Sequence, residues 1–365
     1  MAPDGTSQDD GTGGASHRRS SRAVHGVLEL DAHPITAMCG LLLAGTGATV
    51  WADYGDEAVP PPLTAEQALY LGRSKIRVSA ADVGPLLPTV DVVLTSLSDA
   101  DLAERGIDLA VLESVHPHLV VGRASVLGRR GRNANYAGGE LQALALSGVL
   151  GIVGDADREP VRLAGIQAQY SAGAALFSGV LAAAFARTPG VASARRGVST
   201  SAVRAAAYLD WKSMAHYEDD GTVLVRGSDR GPIRVRCEDG FVGLYYTPAD
   251  WEKVKAIFRD GALGDPRFAS QAGRDTHRDE LLAAFEKASR GRRKDEIYRE
   301  AQRYGLPTGA VLTIDDLRRD PQYTARGSLE PLGAVSGPTL EVPGVPWTVD
   351  GRRPTDPATG VSDHV

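Results

Sequence analysis

Two patterns in the sequence predict an α/β chain: a large domain built on a doubly wound parallel sheet, followed by a small α+β domain. The first is a strand, helix, strand unit, read from GVLEL at Gly26, an apolar helical segment opened by Pro34, and ATVWAD at Ala48. Such units join parallel strands through right-handed crossovers. The second is a change of character after Tyr217, where PIRVRCEDGFVGLYY reads as two strands about the turn Glu238, Asp239, Gly240, with helices after it. These patterns place the large domain at 23–217 and the small domain at 222–317. Tails at 1–22 and 351–365 complete the chain.

Residues 1–22 are Gly, Ser, Asp and Arg with hardly an apolar side chain, too few to offset the entropy of ordering. Gly11, Gly13 and Gly14 lack the preceding strand and following helix of a phosphate loop. The loop after the first strand, Asp31, Ala32, His33, Pro34, carries no G-x-G-x-x-G, which disfavours a dinucleotide fold. Proline suits the first helical turn at Pro34, and the segment runs to Ala44, where Gly45 and Gly47 read as a helix end. VDVVLTS and HLVVGRASV continue as strands, with a helix from Asp99 to Gly106 between them.

The stretch Gly165 to Phe185, GIQAQYSAGAALFSGVLAAAF, organises the rest. Gly173 and Gly179 stand six apart among alanines, which predicts a helix buried on most of its circumference and closely approached by other backbones. It reads as too short, and too flanked by charge, for a membrane span. Its first turn, at Gln167, Gln169 and Ser171, offers free N–H groups that favour an anion, so the active site is expected there. A long helical segment is expected from Ser199 to Tyr217, with a turn at Glu218 to Gly221. TIDDL at Thr313 matches a capping box in which Asp316 serves the helix start, and RGRRK at Arg290 reads as a solvated helix junction. From Gly333 onward Pro and Gly predict irregular chain.

Of the 365 residues 24% are charged and 42% hydrophobic, an ordinary globular balance. A net charge of -6 gives no basic surface for nucleic acid. Cys39 and Cys237 lie far apart and suggest no disulfide framework, which fits the cytoplasm, and no apolar leader opens the chain.

Several stretches in order resemble the family III CoA transferases, the CaiB/BaiF group, from about Val27 to Pro346. VLELDAHPITAMCGLLLAGTGATV is similar to the family's first strand, loop and helix, and LGRSKIRVSAADVGPLL to its Asn-Arg-x-Lys segment. DVVLTSL resembles its Asp-Val-x-x-Glu-Asn-Phe strand, and PVRLAGIQAQYSAGAALFSGVLAAAF its nucleophile helix. CEDGFVGLYYTPADWEKV, GDPRFASQAGRDTHRDELLAAF, GLPTGAVLTIDDLRRDPQYTARG and PGVPW resemble the later segments. The resemblance implies a Rossmann-like large domain to which 318–350 returns, a small domain between, and two chains interlocked as a dimer. It also implies coenzyme A, brought as an acyl-CoA substrate, along the first-strand loop, with no metal. By position Ala32 and His33 would line that loop, and Arg73, Lys75 and Arg105 would meet the nucleotide phosphates.

The departures concern chemistry. The family's nucleophilic aspartate stands four residues before the helix glycine, and counting back from Gly173 lands on Gln169; Ala168 and Tyr170 on either side are no substitute. A neutral amide cannot be a carboxylate nucleophile. The Gly-His-Asp site of the racemase branch reads Gly138, Gly139, Glu140, leaving Glu140 as a candidate general base or a helix-start residue. The glycine-rich flap is reduced to Arg226, Gly227, Ser228, Asp229, Arg230, Gly231. Three functions follow: an enzyme on acyl-CoA and carboxylic acids with altered chemistry, including isomerase, racemase or lyase types; a non-catalytic subunit paired with a related chain; or a repurposed pocket. No membrane partner is expected.

Overall fold

The computed structural model describes residues 23–55, 63–134, 136–186, 197–227, 233–332 and 340–351. The expected tail at 1–22, the tail at 351–365 apart from Gly351, and the flap positions Ser228 to Gly231 lie outside the described residues.

The chain divides into two compact units. The first draws its described residues from Met1–Ala143, Gly165–Ala206 and Thr348–Val365, the second from Leu144–Ala164 and Ala207–Trp347. The boundary expected at 217 thus falls earlier, and residues 318–347 group with the second unit instead of returning to the first.

The first unit opens with β1 (Gly26–Glu29), α1 (Pro34–Gly45), β2 (Thr49–Asp53), α2 (Ala65–Gly72), β3 (Ile76–Val78), α3 (Ala80–Leu86) and β4 (Val92–Thr95). It continues through α4 (Asp99–Glu104), α5 (Leu109–Val115), β5 (Val120–Arg123) and α6 (Glu140–Leu146). After α7 (Val149–Ile152) come α8 (Gln167–Phe185), β6 (Gly197–Ser199) and α9 (Ala202–Leu209). Six parallel strands stand in the order β3-β2-β1-β4-β5-β6. That order is the one dinucleotide-binding sheets use. It occurs here without the glycine fingerprint, which reports on contact with a pyrophosphate and not on strand order, and it matches the expected Rossmann-like sheet. All four residues of β1 and of β4 are buried, as central strands covered on both faces require.

Helix α8 is held close by its glycines. A Cβ at Gly173 would lie 2.6 Å from the Met38 Cβ and 2.9 Å from the Ile35 carbonyl on α1, and one at Gly179 would meet Val198 of β6 at 2.7 Å. The circumference is less covered than expected. Ala168, Gln169, Ala172, Gly173, Leu176, Val180 and Ala184 are buried, but Ala174, Ala175, Ser178 and Ala182 are exposed and Phe185 is 73% exposed. Small side chains favour close approach on either side of a helix, so composition alone could not say that only one side has neighbours within the chain. At 19 residues the helix also reaches the length of a membrane span, contrary to expectation, while one side packs on α1 and the sheet as a core helix does.

The segment from Ser199 to Tyr217 is not one helix. Gly197–Ser199 is extended as β6, and α9 gives way at Asp210 to α10 (Trp211–Asp220), which runs through the expected turn and ends on Gly221 at φ 75.

In the second unit β7 (Ile233–Cys237) and β8 (Gly240–Leu244) form the expected hairpin. Then come α11 (Trp251–Phe258), α12 (Gln271–Thr276), α13 (Arg278–Ser289), α14 (Lys294–Arg303) and β9 (Thr308–Ala310), which pairs antiparallel with β8. Val235, Val242, Trp251, Ile257, Phe258 and Phe285 lie in its core. The chain continues through α15 (Ile314–Arg319), α16 (Pro321–Ala325) and the antiparallel pair β10 (Leu329–Leu332) and β11 (Leu340–Pro343). Thr313 caps α15 in a box with Asp316, as read. The RGRRK junction is less solvated than expected: Arg292 donates to the Ile257 carbonyl at 2.9 Å, and buried Lys294 meets Asp316 at 2.6 Å. Lys294 and the capping hydrogen bonds hold the Asp316 carboxyl well below the usual carboxylate range.

Candidate active site at the starts of helices α1 and α8

Open α/β sheets bind ligands beyond the C-terminal ends of their strands, where the strand order reverses. Here that point lies between β1 and β4, and Asp31 ties the two strand ends together. Its Oδ1 accepts from the His33 N–H, the Thr36 hydroxyl and the Ser96 hydroxyl, each at 3.1 Å. Its Oδ2 accepts from the Ser96 N–H at 2.6 Å and the Thr95 hydroxyl at 3.0 Å. Thr95 at the end of β4 and Ser96 after it thus fix the Asp31 carboxylate through three hydrogen bonds.

His33 is the N-cap of α1, its Nδ1 accepting the Ile35 N–H at 3.2 Å. A neutral ring in that pose carries its proton on Nε2. Burial pulls the His33 imidazole down from its ordinary value, with Asp31 opposing. Ala32 is buried in an apolar cluster with Ala37, Leu41, Leu63 and Leu71, against which Met38, Tyr70 and Tyr170 pack. Tyr70 and Tyr170 thus bring α2 and the first turn of α8 to the first-strand loop.

Gln169 and Glu140 do come together. Helix α8 has no side-chain cap of its own at Ile166. The Glu140 carboxylate supplies it, accepting the Ala168 N–H at 2.8 Å and the Gln169 N–H at 3.2 Å. The Gln169 amide Nε2 adds a third, longer contact at 3.5 Å, and both residues are 6% exposed. Orphan N–H groups at a helix start attract a carboxylate, and a neutral donor at 169 is matched to it. Glu140 therefore opens α6 and caps α8 at once.

The three basic positions have different surroundings. Arg73 is half-buried, its guanidinium 4.2 Å from the Tyr70 ring centroid. Arg105 donates to the Leu30 carbonyl at 2.9 Å and reaches Asp53 at 3.4 Å, with its side chain still 44% exposed. Lys75, expected beside phosphates, is turned inward. Ser74 adopts a left-handed φ of 63 between the two cations. The Lys75 ammonium then donates to Glu29 Oε1 at 2.7 Å, to the Ala37 carbonyl at 2.7 Å and to the Tyr54 hydroxyl at 3.0 Å. Its three donors are thereby used within the fold. Tyr54 donates to Glu29 Oε2 at 2.6 Å. Burial pushes the Glu29 carboxyl up to about 7 against the opposing pull of Lys75, and lowers the Lys75 ammonium.

Arg73 and Arg105, which keep solvent access, fit a polyanionic ligand; Lys75 does not. Sequence reasoning missed Asp31, Glu29, Tyr54, Tyr70 and Tyr170. The one available signal was an acid directly following a buried strand, at Asp31. No group of three or more potential metal ligands occurs among the described residues.

A doubly wound sheet whose strand order reverses between β1 and β4, with the small-residue helix α8 packed on α1 and the sheet, defines the fold class. The sequence matches the profile of CoA-transferase family III over residues 81–361, and the chain belongs to that family. It is 26% identical over 275 residues to the succinate–glutarate CoA-transferase of Agrobacterium fabrum, covering 71% of this chain but 66% of that protein. It is 26% identical over 374 residues to the succinyl-CoA–D-citramalate CoA-transferase of Chloroflexus aurantiacus, covering 92% and 90% of the two chains. The fold is similar to that of a CaiB/BaiF family protein from Brucella suis, with a TM-score of 0.77 at 20% identity over 91% of this chain and 93% of that one.

Proposed function

We propose that this chain binds coenzyme A as an acyl-CoA thioester in the crevice at the ends of β1 and β4, and forms no acyl-enzyme bond at position 169. The observation that supports the reading is the buried Gln169 amide, which faces the carboxylate that caps its own helix, at the position where the resemblance puts the nucleophile. Ala32 and His33 line the ligand loop, Arg73 and Arg105 meet the phosphates, and Glu140 is a positioning residue. A carboxylic acid is the second substrate class, by analogy with the relatives' names. Calorimetric titration of the full chain with CoA and a short acyl-CoA tests this. Binding near micromolar, about -8 kcal/mol, without transfer to a panel of carboxylic acids supports it. Absence of heat with every thioester, or efficient transfer by the chain alone, overturns it.

A second reading, a subunit that works with a related chain carrying the aspartate, is favoured by uncovered apolar surface. Tyr208, Leu209, Trp211, Met214 and Tyr217 are all exposed along α9 and α10, and apolar side chains exposed together mark an interaction surface, whereas single ones need no explanation. The chain then forms a dimer, with itself or with that relative. Light scattering of the chain alone and co-expressed with an aspartate-bearing relative distinguishes the two, and a monodisperse monomer in both excludes them.

A further inference from the structure

The second unit contains a buried cation that the reading above does not use. Arg274 of α12 is 2% exposed, yet no carboxylate stands within ion-pair distance of it among the described residues. Its Nη1 donates to the carbonyls of Phe268 at 2.8 Å and Ala269 at 3.4 Å, and its Nη2 to Gln271 Oε1 at 3.0 Å. Its Nε has no partner. The guanidinium stacks 4.6 Å from the Trp251 ring centroid and 5.8 Å from that of Tyr246. Those contacts satisfy donors but supply no full negative charge, and a desolvated guanidinium without one is costly.

The same arginine lines a cavity of about 50 Å³. Half-buried Arg278 lines it too, as do Tyr246, Gln271 and Asp275. Asp275 accepts from Gln271 Nε2 at 2.9 Å, so the lining carries two arginines against one carboxylate. A water occupies about 30 Å³ in the liquid, which leaves room for a carboxylate or a small inorganic anion and none for a nucleotide. We propose that this cavity is a small-anion site, in which Arg274 and Arg278 hold the carboxylate of a short organic acid or an inorganic anion of similar size. Arginine's planar fork suits a two-oxygen acceptor, and the orphaned Nε is the donor such a group would complete.

Thermal unfolding of the full chain, titrated at constant ionic strength with acetate and separately with chloride, tests the proposal. A ligand that binds only the folded state raises the midpoint in a saturable way. In the wild type the midpoint rises and saturates with acetate; Arg278→Gln, at the cavity's half-buried side, raises the half-saturating concentration tenfold or more. Arg274→Lys, which keeps the charge and loses the fork, abolishes saturation. His33→Ala leaves the half-saturating concentration unchanged, which separates this cavity from the thioester crevice. Saturation by acetate alone assigns a carboxylate site, and saturation by both ions a simple anion site. An unsaturable rise equal in wild type and Arg278→Gln, or a response lost in His33→Ala, overturns the proposal.

Discussion

The Glu140 carboxylate accepts the Ala168 N–H at 2.8 Å across 28 residues of sequence, so the start of α8 is capped from the far end of the loop after β5. Replacing a capping carboxylate costs about 0.5–2 kcal/mol, and more when charged hydrogen bonds are buried. Glu140→Ala is therefore expected to destabilise the chain by about 2–3 kcal/mol, with Glu140→Gln intermediate. Urea denaturation midpoints check this; an unchanged midpoint in Glu140→Ala removes the capping role.

Gln169→Asp sets a second carboxylate against the first in the same buried place. Like charges this close cannot both ionise readily, so one of the pair titrates above the ordinary carboxylate range. A raised folded pKa gives stability that is present below the unfolded pKa, about 4, and is lost as pH rises through the folded value. Stability of Gln169→Asp is expected to fall more steeply between pH 4 and 7 than that of Gln169→Asn. Equal pH profiles would show that the two side chains do not face each other.

Glu29 has the same sign in the wild type. Its carboxyl is pushed up to about 7 by burial, so its contribution is full below about 4.5 and declines as pH rises through 7. His33, pulled down by burial, contributes oppositely: its share is present above about 6.5 and is lost as pH falls below that value. The difference profile between wild type and Glu29→Gln isolates the carboxyl. Lys75→Met removes the opposing charge, and breaking a buried pair costs about 3–5 kcal/mol at neutral pH. The double variant Glu29→Gln, Lys75→Met is expected to recover part of that loss. If Lys75→Met alone is neutral, the ammonium is not in the ion pair described.

Gly173→Ala drives a methyl group into Met38 and the Ile35 carbonyl, and overpacking of this kind costs about 1–3 kcal/mol. Because Ile35 follows the His33 cap, the variant is also expected to weaken CoA binding more than Gly221→Ala, a surface control matched only in residue type. Calorimetry on both variants reads the difference.

The sheet was legible because strand, helix, strand units announce themselves in runs such as GVLEL and VDVVLTS. The starts of α1 and α8 were legible because Pro34 and the small-residue stretch mark them. Lys75 is expected beside phosphates, and nothing in its sequence neighbours signals that its ammonium meets Glu29, a residue 46 positions away. Glu140 was half-read: a helix-start glutamate was expected, but not that the helix it caps is a different one. Strand β6, three residues long and overlapping the predicted helix only at Ser199, is not foreseen because so short a run has no periodicity to read. Contacts set by the folded chain, such as Tyr54 on Glu29 and Lys294 on Asp316, leave no local pattern.

Helix α8 bears on the order of events during synthesis. Helix α1 is complete at Gly45, but the surface at Ile35 and Met38 that receives Gly173 is not covered until α8 has left the ribosome, about 140 residues later. At roughly 5–20 residues per second that interval is on the order of ten seconds. Four of the six strands, β2 to β5, emerge in the meantime and join β1 with one layer of their cover missing, so the nascent chain presents a nearly finished sheet with a bare apolar flank. The same late helix delivers Gln169, which means the crevice and the cover arrive together.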